Sequence, residues 1–238
     1  MVVKEEFYVG YSEIDRSLRI RNTSILKIFE NMACIHGSLA GDSIKNSDAR
    51  WFLTAYRVKI LKRPEYEERV TAHTWSRDIK GISAVREFEI YSEDGEKCVI
   101  GISNWARVNA ITQKLERASA KTVEAYQSEI EHTNFGELKL PKLKECESYE
   151  YTKDFLVDRN FIDTNRHMNN VCYMELAELV VPEEVYDAGC DEFEIMYKKA
   201  IKYGEKVKCC FGKTEDAYII AVKSEDLSEL FAIIKMYM

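Results

Sequence analysis

The feature that most constrains this chain is an internal repeat. The segment "DRSLRIRNTSILKIFE" begins at Asp15, and the similar segment "DTNRHMNNVCYMELAE" begins at Asp163. Further on, "YEERV" at Tyr66–Val70 is paralleled by "YGEKV" at Tyr203–Val207, in the same order but at a shorter spacing. Two matches in one order favour duplication over chance, because self-similarity marks a structure that is built more than once. We therefore expect two similar halves.

The first half is predicted to contain one amphipathic helix followed by strands. Apolar residues recur at helical spacing between Ile25 and Leu39. Thr23 or Ser24 is expected to cap the start of this helix, and Gly41 lies near its end. The Asp-Gly pair of "SEDGE" indicates a hairpin between the last two strands. The predicted strands are "FLTAYRVKIL", "RVTAHTWS", "SAVREFEIY" and "KCVIGISNWARV".

The second half repeats this plan. A helix is predicted to begin near Val171, and its pattern stops at Pro182, which is expected to begin a further short turn. Four strand-like runs then follow: "EFEIMYK", "KVKCCFGK", "AYIIAVKS" and "LFAIIKMYM".

One helix followed by antiparallel strands is an α+β plan, in which the sheet wraps around the helix. The hot-dog fold has this architecture, so two copies predict a double hot-dog. The polar, charged segment between the halves is interpreted as a linker. The predicted division is an N-terminal unit at 1–122 that holds the substrate tunnel, a linker at 123–150, and a C-terminal unit at 151–238 that holds the catalytic motif.

Composition narrows the functional classes. The chain has 238 residues and a net charge of −7, which argues against a nucleic-acid partner. No apolar run is long enough for a membrane span, and no secretory signal is recognised, so a cytoplasmic protein is expected. Its 7 cysteines lack a C-x-x-C pair, and its 4 histidines lack an H-x-x-x-H pair, so a metal site is not expected.

The densest run of reactive side chains is "FIDTNRHMNN". If Ile162–Met168 is extended, side chains alternate between two faces. Asp163, Asn165 and His167 would then share one face, where they could accept, orient and transfer protons.

Asn169 or Asn170 is well placed to cap the helix that follows. The free N–H groups and positive end of that helix would then lie beside the three side chains and support a developing oxyanion. The same residues are also typical of an Asx-rich turn followed by a helix cap.

The repeat helps to decide between an active site and an Asx-rich turn with a helix cap. At the positions that match Asp163, Asn165 and His167, the first half has Asp15, Ser17 and Arg19. A requirement for a turn should act on both copies alike. The loss of the Asn and the His therefore favours a site that only the second copy retains.

The segment "DTNRHMNNVCYMELAEL" resembles the signature of the acyl-ACP thioesterases, a family with a fused double hot-dog fold. "TAHTWSRDIKGISAVREFEIYSEDGE", "SNWARVNAITQKLERAS" and "FEIMYKKAIKYGEKV" extend the resemblance over almost the whole chain. The resemblance implies hydrolysis of an acyl thioester by Asn165 and His167. Asp163 is implied as a carboxylate partner, acting either as a general base or as a nucleophile. Asn169 and Asn170 are expected to support the helix cap and the oxyanion.

One position departs from the family pattern. Many members carry a Glu, followed in plant members by a Cys, shortly after the tyrosine that matches Tyr197. Here those positions are Ala200 and Ile201, which cannot titrate. Glu175, Glu194 or Glu205 could replace the missing carboxylate, and the sequence does not choose among them. Cys172 is the cysteine nearest the motif, but it lies on the predicted helix and is expected to be a buried small side chain.

The resemblance also implies the ligands. An acyl chain needs an apolar tunnel, for which Ile25, Phe29 and Met32 are candidates, although such a stripe is more often core. The expected partner is acyl carrier protein bearing an acyl-phosphopantetheine, without metal or other cofactor, and a homodimer is left open. Basic residues are candidates for docking this acidic partner: Arg57, Lys59, Lys62, Arg63, Lys198, Lys199 and Lys202.

The alternatives are an acyl-CoA thioesterase, a hot-dog dehydratase and a non-catalytic acyl-carrier-binding protein.

Overall fold

The structure, a computed structural model, describes residues 1–136 and 138–238. It separates into two compact units, Met1–Leu140 and Pro141–Met238, so the division falls inside the predicted linker. Within these described residues, no helix combines the length and hydropathy that a membrane span requires.

Unit 1 is an antiparallel sheet with one long helix. Its strands have the order β1-β3-β4-β5-β2. The helix α1 contacts β1 and β3, and a short helix α2 follows the last strand. The elements of unit 1 are β1 (Val3–Tyr8), α1 (Asn22–Leu39), β2 (Ala49–Ile60), β3 (Arg69–Lys80), β4 (Ser83–Ser92), β5 (Lys97–Asn109) and α2 (Ala120–Ala125).

Unit 2 has the same topology with a shorter helix. Its strands have the order β7-β10-β9-β8-β6, and α3 contacts β10. The elements of unit 2 are β6 (Tyr151–Leu156), α3 (Asn170–Glu178), α4 (Glu183–Ala188), β7 (Glu192–Tyr197), β8 (Lys206–Lys213), β9 (Ala217–Ser224) and β10 (Leu230–Tyr237). Each unit is therefore one hot-dog, and the predicted fold class is confirmed.

The two strands that the sequence pattern did not indicate, β1 and β6, also obey the repeat. Tyr8 of β1 pairs with Arg69 of β3, and Leu156 of β6 pairs with Lys206 of β8. Both are edge strands with many exposed positions, so they lack the clean apolar alternation that identifies a half-buried strand. The duplication therefore extends to the strand register.

The helix of unit 1 lies directly against the sheet. Phe29 of α1 is fully buried and stacks on Phe88 of β4, with ring centroids 4.3 Å apart. Gly101 of β5 makes this approach possible, because an added Cβ there would lie 2.4 Å from a ring carbon of Phe29. Ile25 and Met32 are also completely buried on this helix.

The N-terminus of α1 differs from the prediction. The capping position is Arg21, which makes no side-chain cap, and the expected caps Thr23 and Ser24 lie inside the first turn. The Ser24 hydroxyl instead donates to the carbonyl of Glu13, at 2.9 Å. The Ser24 side chain thus holds the incoming chain instead of the helix end, and neither predicted cap is correct.

The first part of the predicted linker packs on unit 1. The indole N–H of Trp75 donates to the carbonyl of His132 (2.8 Å), and the two rings stack at 3.8 Å. The buried carboxylate of Glu87 accepts hydrogen bonds from the backbone of Asn134 (2.7 Å) and the hydroxyl of Thr133 (2.8 Å). This stretch is therefore an ordered strap across the β3–β4 surface rather than a loose connection.

Candidate active site

The motif segment between Ile162 and Met168 is a closed turn. The amide of Arg166 donates to the carbonyl of Asp163 (3.0 Å), and the amide of Asp163 donates to the carbonyl of His167 (2.8 Å). Arg166 adopts a left-handed backbone with φ 62°. The expectation of an extended segment is therefore wrong, because the chain folds back on itself and Ile162 pairs with Met168.

The carboxylate of Asp163 organises this turn. Its Oδ1 accepts the backbone N–H of Asn165 at 2.7 Å and that of His167 at 3.3 Å. Its Oδ2 accepts the side-chain amide of Asn165 at 3.1 Å. Asp163 therefore fixes both the backbone of the turn and the orientation of the Asn165 amide, as an Asx turn does.

Unit 1 contains the same turn. The carboxylate of Asp15 accepts the backbone N–H groups of Ser17 (2.7 Å) and Arg19 (3.0 Å). Leu18, the equivalent of Arg166, also has φ 62°. Because both copies use the aspartate to build the turn, the turn geometry accounts for Asp163. It does not account for Asn165 and His167, which the first copy replaces without losing the turn.

Side-chain exposure on the turn alternates even though the backbone is not extended. Asp163, Asn165 and His167 are half-buried, whereas Thr164 and Arg166 are exposed. The Nδ1 atom of His167 is itself buried. The three predicted side chains are therefore less exposed than their immediate neighbours on the turn.

The helix α3 begins directly after the turn. Asn169 is its N-cap, and its side chain accepts the N–H of Val171 at 2.8 Å. The carbonyl of Asn169 accepts the N–H of Cys172 at 3.0 Å. Asn170 is the first helical residue, and its carbonyl accepts the hydroxyl of Tyr197 at 3.0 Å. Two of the amides expected to be free for an oxyanion are therefore already engaged by Asn169.

The turn is attached to the segment that precedes β8. The amide of Met168 donates to the carbonyl of Ile201 at 2.8 Å. In unit 1 the amide of Ile20 donates in the same way to the carbonyl of Pro64, at 2.9 Å. Ile201 is therefore the structural counterpart of Pro64.

This correspondence locates the departure from the family pattern. Ala200 is exposed, and its counterpart in unit 1 is Arg63. The guanidinium of Arg63 donates to the carbonyl of Ile20 (2.8 Å) and to the side-chain oxygen of Asn22 (3.0 Å). A long side chain at this position of the fold thus reaches the turn and the helix start. Alanine does not fill that space in unit 2.

Of the three glutamates that could replace the missing carboxylate, Glu205 has a structural role. Its Oε2 accepts the N–H of Lys202 at 2.8 Å, and Glu68 does the same in unit 1 with the N–H of Glu65 at 3.1 Å. Because both copies make this contact, it stabilises the loop and is not specific to the motif of unit 2.

Glu194 is placed away from the motif. Tyr197 of β7 directs its hydroxyl to α3, so alternation puts Glu194 on the opposite face of the strand. Consistently, Glu194 lies opposite Lys235 of β10. Burial lowers the pKa of Lys235, but the hydrogen bond to Asp216 and the nearby Tyr237 and Glu194 raise it. Glu175, half-buried on α3 where unit 1 has the exposed Lys27, is the candidate that remains.

The predicted docking residues fall into two groups. Arg63 holds the turn of unit 1, Arg57 lies 5.5 Å from the ring centroid of Phe135, and Lys62 and Lys199 form surface ion pairs with Glu96 and Glu229, each at 2.6 Å. The remaining three candidates, Lys59, Lys198 and Lys202, are exposed.

The fold and the motif together define a tandem hot-dog protein whose second unit carries an Asn–His pair on an Asp-built turn. The family model described as "Acyl-ACP thioesterase N-terminal domain" matches residues 1–126, and the one described as "Acyl-ACP thioesterase C-terminal domain" matches residues 144–234. The chain belongs to the acyl-ACP thioesterase family.

Curated relatives include the chloroplastic oleoyl-acyl carrier protein thioesterase 1 of Arabidopsis thaliana, which is 23% identical over 203 residues, covering 77% of this chain and 56% of the relative. The chloroplastic palmitoyl-acyl carrier protein thioesterase of Cuphea hookeriana is 23% identical over 206 residues, covering 79% of this chain and 48% of the relative. The chain thus spans about half the length of the curated relatives it matches.

Solved structures show the same fold. An acyl-ACP thioesterase from Bacteroides thetaiotaomicron superposes with a TM-score of 0.87 at 21% identity, covering 99% of this chain and 97% of the other. The 12:0-ACP thioesterase from Umbellularia californica superposes with a TM-score of 0.85 at 15% identity, covering 99% and 96%.

Proposed function

We propose that this protein hydrolyses fatty acyl-ACP to a free fatty acid and holo-ACP, and that unit 2 carries the chemistry. The observation that supports this most is the comparison of the two turns. Both copies build the turn with an aspartate, but only the second places an amide and an imidazole on it. Membership of the acyl-ACP thioesterase family supplies the reaction type and the carrier.

A thioester carbonyl is already activated, so the site chiefly has to position water and stabilise an oxyanion. His167 accepts a proton from the attacking water while the water oxygen bonds to the carbonyl carbon. When the carbon–sulfur bond breaks, the proton passes to the leaving thiolate. Asn165, oriented by Asp163, donates its amide hydrogen to the carbonyl oxygen. In this scheme Asp163 is an orienting group rather than the base or nucleophile.

The remaining parts of the proposal concern the acyl chain and the carrier. The acyl chain binds in unit 1 along α1, where Ile25, Phe29 and Met32 are buried. The acidic carrier docks on exposed lysines, for which Lys59, Lys198 and Lys202 are the candidates. The reaction serves fatty acid synthesis in the cytoplasm. Sedimentation of the purified protein would show whether the enzyme acts as a homodimer.

The test is product release from a panel of acyl-ACP substrates and matched acyl-CoA substrates. Acyl-ACP should be the better substrate by kcat/KM. A clear preference for acyl-CoA would support the alternative carrier, and binding without hydrolysis would support a non-catalytic acyl-carrier-binding protein. Release of an enoyl product instead of a free acid would indicate a dehydratase.

His167→Ala tests the site. Turnover should fall by about 10²-fold or more, the usual loss for a positioned acid or base. Arg19→Ala is the matched control, because Arg19 occupies the same turn position in unit 1. If His167→Ala keeps near wild-type turnover, the site assignment is wrong.

A further inference from the structure

The loop that carries Ala200 has the same conformation as its counterpart in unit 1. The amide of Gly204 donates to the carbonyl of Val157 at 2.9 Å. In unit 1 the amide of Glu67 donates in the same way to the carbonyl of Val9, at 3.0 Å. Gly204 and Glu67 also share a left-handed backbone, with φ 81° and 70°. Side chains at matched positions of the two loops therefore start from matched places beside the turn and the helix.

In unit 1 the position that matches Ala200 holds a hydrogen-bond donor. The Nη1 atom of Arg63 donates to two acceptors at the start of α1. These are the carbonyl of Ile20, at 2.8 Å, and the side-chain oxygen of Asn22, at 3.0 Å. Asn22 is only 5% exposed beside this guanidinium. Two oxygen atoms of unit 1 are thus arranged around one donor nitrogen.

Unit 2 keeps both acceptors and lacks the donor. Met168 takes the place of Ile20. Asn170 takes the place of Asn22, and alanine replaces the arginine. Within the part of the chain that the structure describes, no donor reaches the carbonyl of Met168 or the side-chain oxygen of Asn170. Asn170 is half-buried, and Ala200 is exposed. The two acceptors therefore lie beside an open position that directly follows the motif.

This arrangement selects the chemistry of a ligand group. Two oxygen acceptors within hydrogen-bond reach of one point favour an N–H group there and disfavour another oxygen acceptor. Met168 is 3% exposed, so a donor that reaches its carbonyl displaces little water. The arm of an acyl-phosphopantetheine has a secondary amide that a short ethylene link separates from the sulfur. The N–H of that amide is a donor of the required kind, and it lies close to the thioester.

We propose that Asn170 is a substrate-binding residue: its side-chain oxygen and the carbonyl of Met168 accept the amide N–H of the phosphopantetheine arm in the space that Ala200 leaves open. The inference rests on the proposed function and deepens it, because it assigns the carrier arm to a place beside Asn165 and His167. It also explains an alanine at this position, since the arginine of unit 1 would occupy the place of the arm.

The first test removes one N–H group from the substrate. Acyl thioesters of N-acetylcysteamine retain the amide nearest the sulfur, whereas thioesters of 2-acetoxyethanethiol have an ester oxygen in place of the N–H. Measured by thiol release, kcat/KM of the wild-type protein should be at least about tenfold higher for the amide substrate. In Asn170→Ala this preference should fall below about threefold. Asn22→Ala, the same position in unit 1, is the matched control and should keep the wild-type preference.

The second test fills the space. Ala200→Arg installs the residue of unit 1, whose guanidinium should donate to both acceptors and exclude the arm. KM for acyl-ACP should then rise at least about tenfold, while kcat changes by less than about threefold. Ala188→Arg is the matched control, because Ala188 is another exposed alanine of unit 2 and the added charge is the same. This control should leave KM unchanged.

A readout without substrate tests the two acceptors themselves. Ala200→Arg should raise the midpoint of thermal unfolding by about 2–4 °C, because the guanidinium pairs with acceptors that lack a donor in the wild-type protein. In an Asn170→Ala background the same substitution should give less than about half of this rise. An equal rise in both backgrounds, or no rise in either, would overturn the proposal.

The outcomes separate this inference from the proposed function. Equal kcat/KM for the amide and ester substrates in the wild-type protein would refute the arm site and leave thioester hydrolysis standing. If no acyl thioester is hydrolysed, the proposed function fails. Calorimetry with non-hydrolysable alkyl thioethers of the same two thiols then decides the arm site. The amide thioether should bind about tenfold more tightly, and equal affinities would refute the site.

Discussion

The two aspartate turns offer a test in which the protein supplies its own control. Asp163 and Asp15 each accept two backbone N–H groups with one carboxylate oxygen. Replacement by alanine leaves both N–H groups without this acceptor. A hydrogen bond to a charged group contributes about 1.5–3 kcal/mol when well buried, and both sites are partly open to water. We therefore expect Asp163→Ala and Asp15→Ala each to lower the free energy of unfolding by about 2–3 kcal/mol.

Asparagine separates the turn from the chemistry. Its side-chain oxygen can replace Oδ1 and accept both N–H groups, so Asp163→Asn and Asp15→Asn should each cost less than about 1 kcal/mol. In unit 2 the other carboxylate oxygen accepts the amide of Asn165. An amide nitrogen at that place would face another donor, so Asn165 would lose its orientation. Asp163→Asn should then reduce kcat by about tenfold, and Asp15→Asn should not change it.

Urea unfolding followed by circular dichroism gives the stabilities, and hydrolysis of one acyl-ACP substrate gives kcat. Two results would refute the reasoning. A loss of about 10⁴-fold or more in folded Asp163→Asn would show that the carboxylate reacts as a base or nucleophile. Full activity in that variant would show that Asp163 does not orient Asn165.

Three further predictions follow from local contacts. Ala200→Glu should leave kcat equal or higher, because a long side chain at this place of the fold reaches the turn; a collapse of the rate measured with acyl-ACP would contradict this. His36 is fully buried, and burial together with Arg86 lowers its pKa to about 3, so it stays neutral when folded while an unfolded histidine protonates near pH 6.5. The stability that the neutral His36 contributes is complete above about pH 6.5. As the pH falls below this value, the free energy of unfolding should decrease by up to about 1.4 kcal/mol per pH unit. Urea titrations at several pH values should show a flatter dependence of this free energy on pH in His36→Asn. Gly101→Ala should destabilise the protein by about 1–3 kcal/mol, because the new methyl group would overlap the Phe29 ring, and Phe29→Leu in the same chain should recover part of the loss in thermal unfolding.

The sequence predicted strands most accurately where their apolar residues form a pattern within the strand itself. β8 and β9 begin and end at the predicted residues, and β7 and β10 end one residue earlier. The edge strands β1 and β6 escaped prediction, because an edge strand exposes most of its side chains and its partner, rather than its own periodicity, makes it a strand.

The site was predicted only in part. The repeat singled out Asn165 and His167, and Asn169 is the helix cap that the pattern indicated. The extended conformation was wrong because Asp163 closes the turn with its own side chain.

The sequence by itself determined that this protein contains one unit twice, which segments form the two main helices and the strands other than β1 and β6, and which copy retains an amide and an imidazole. These properties depend on periodicity and on residue identity at matched positions, which are local. The tertiary structure alone decided that Glu194 faces away from the motif and that the amide of Met168 donates to the carbonyl of Ile201. Those contacts join residues distant along the chain, so they depend on how the strands pair and on which face each side chain occupies in the assembled sheet.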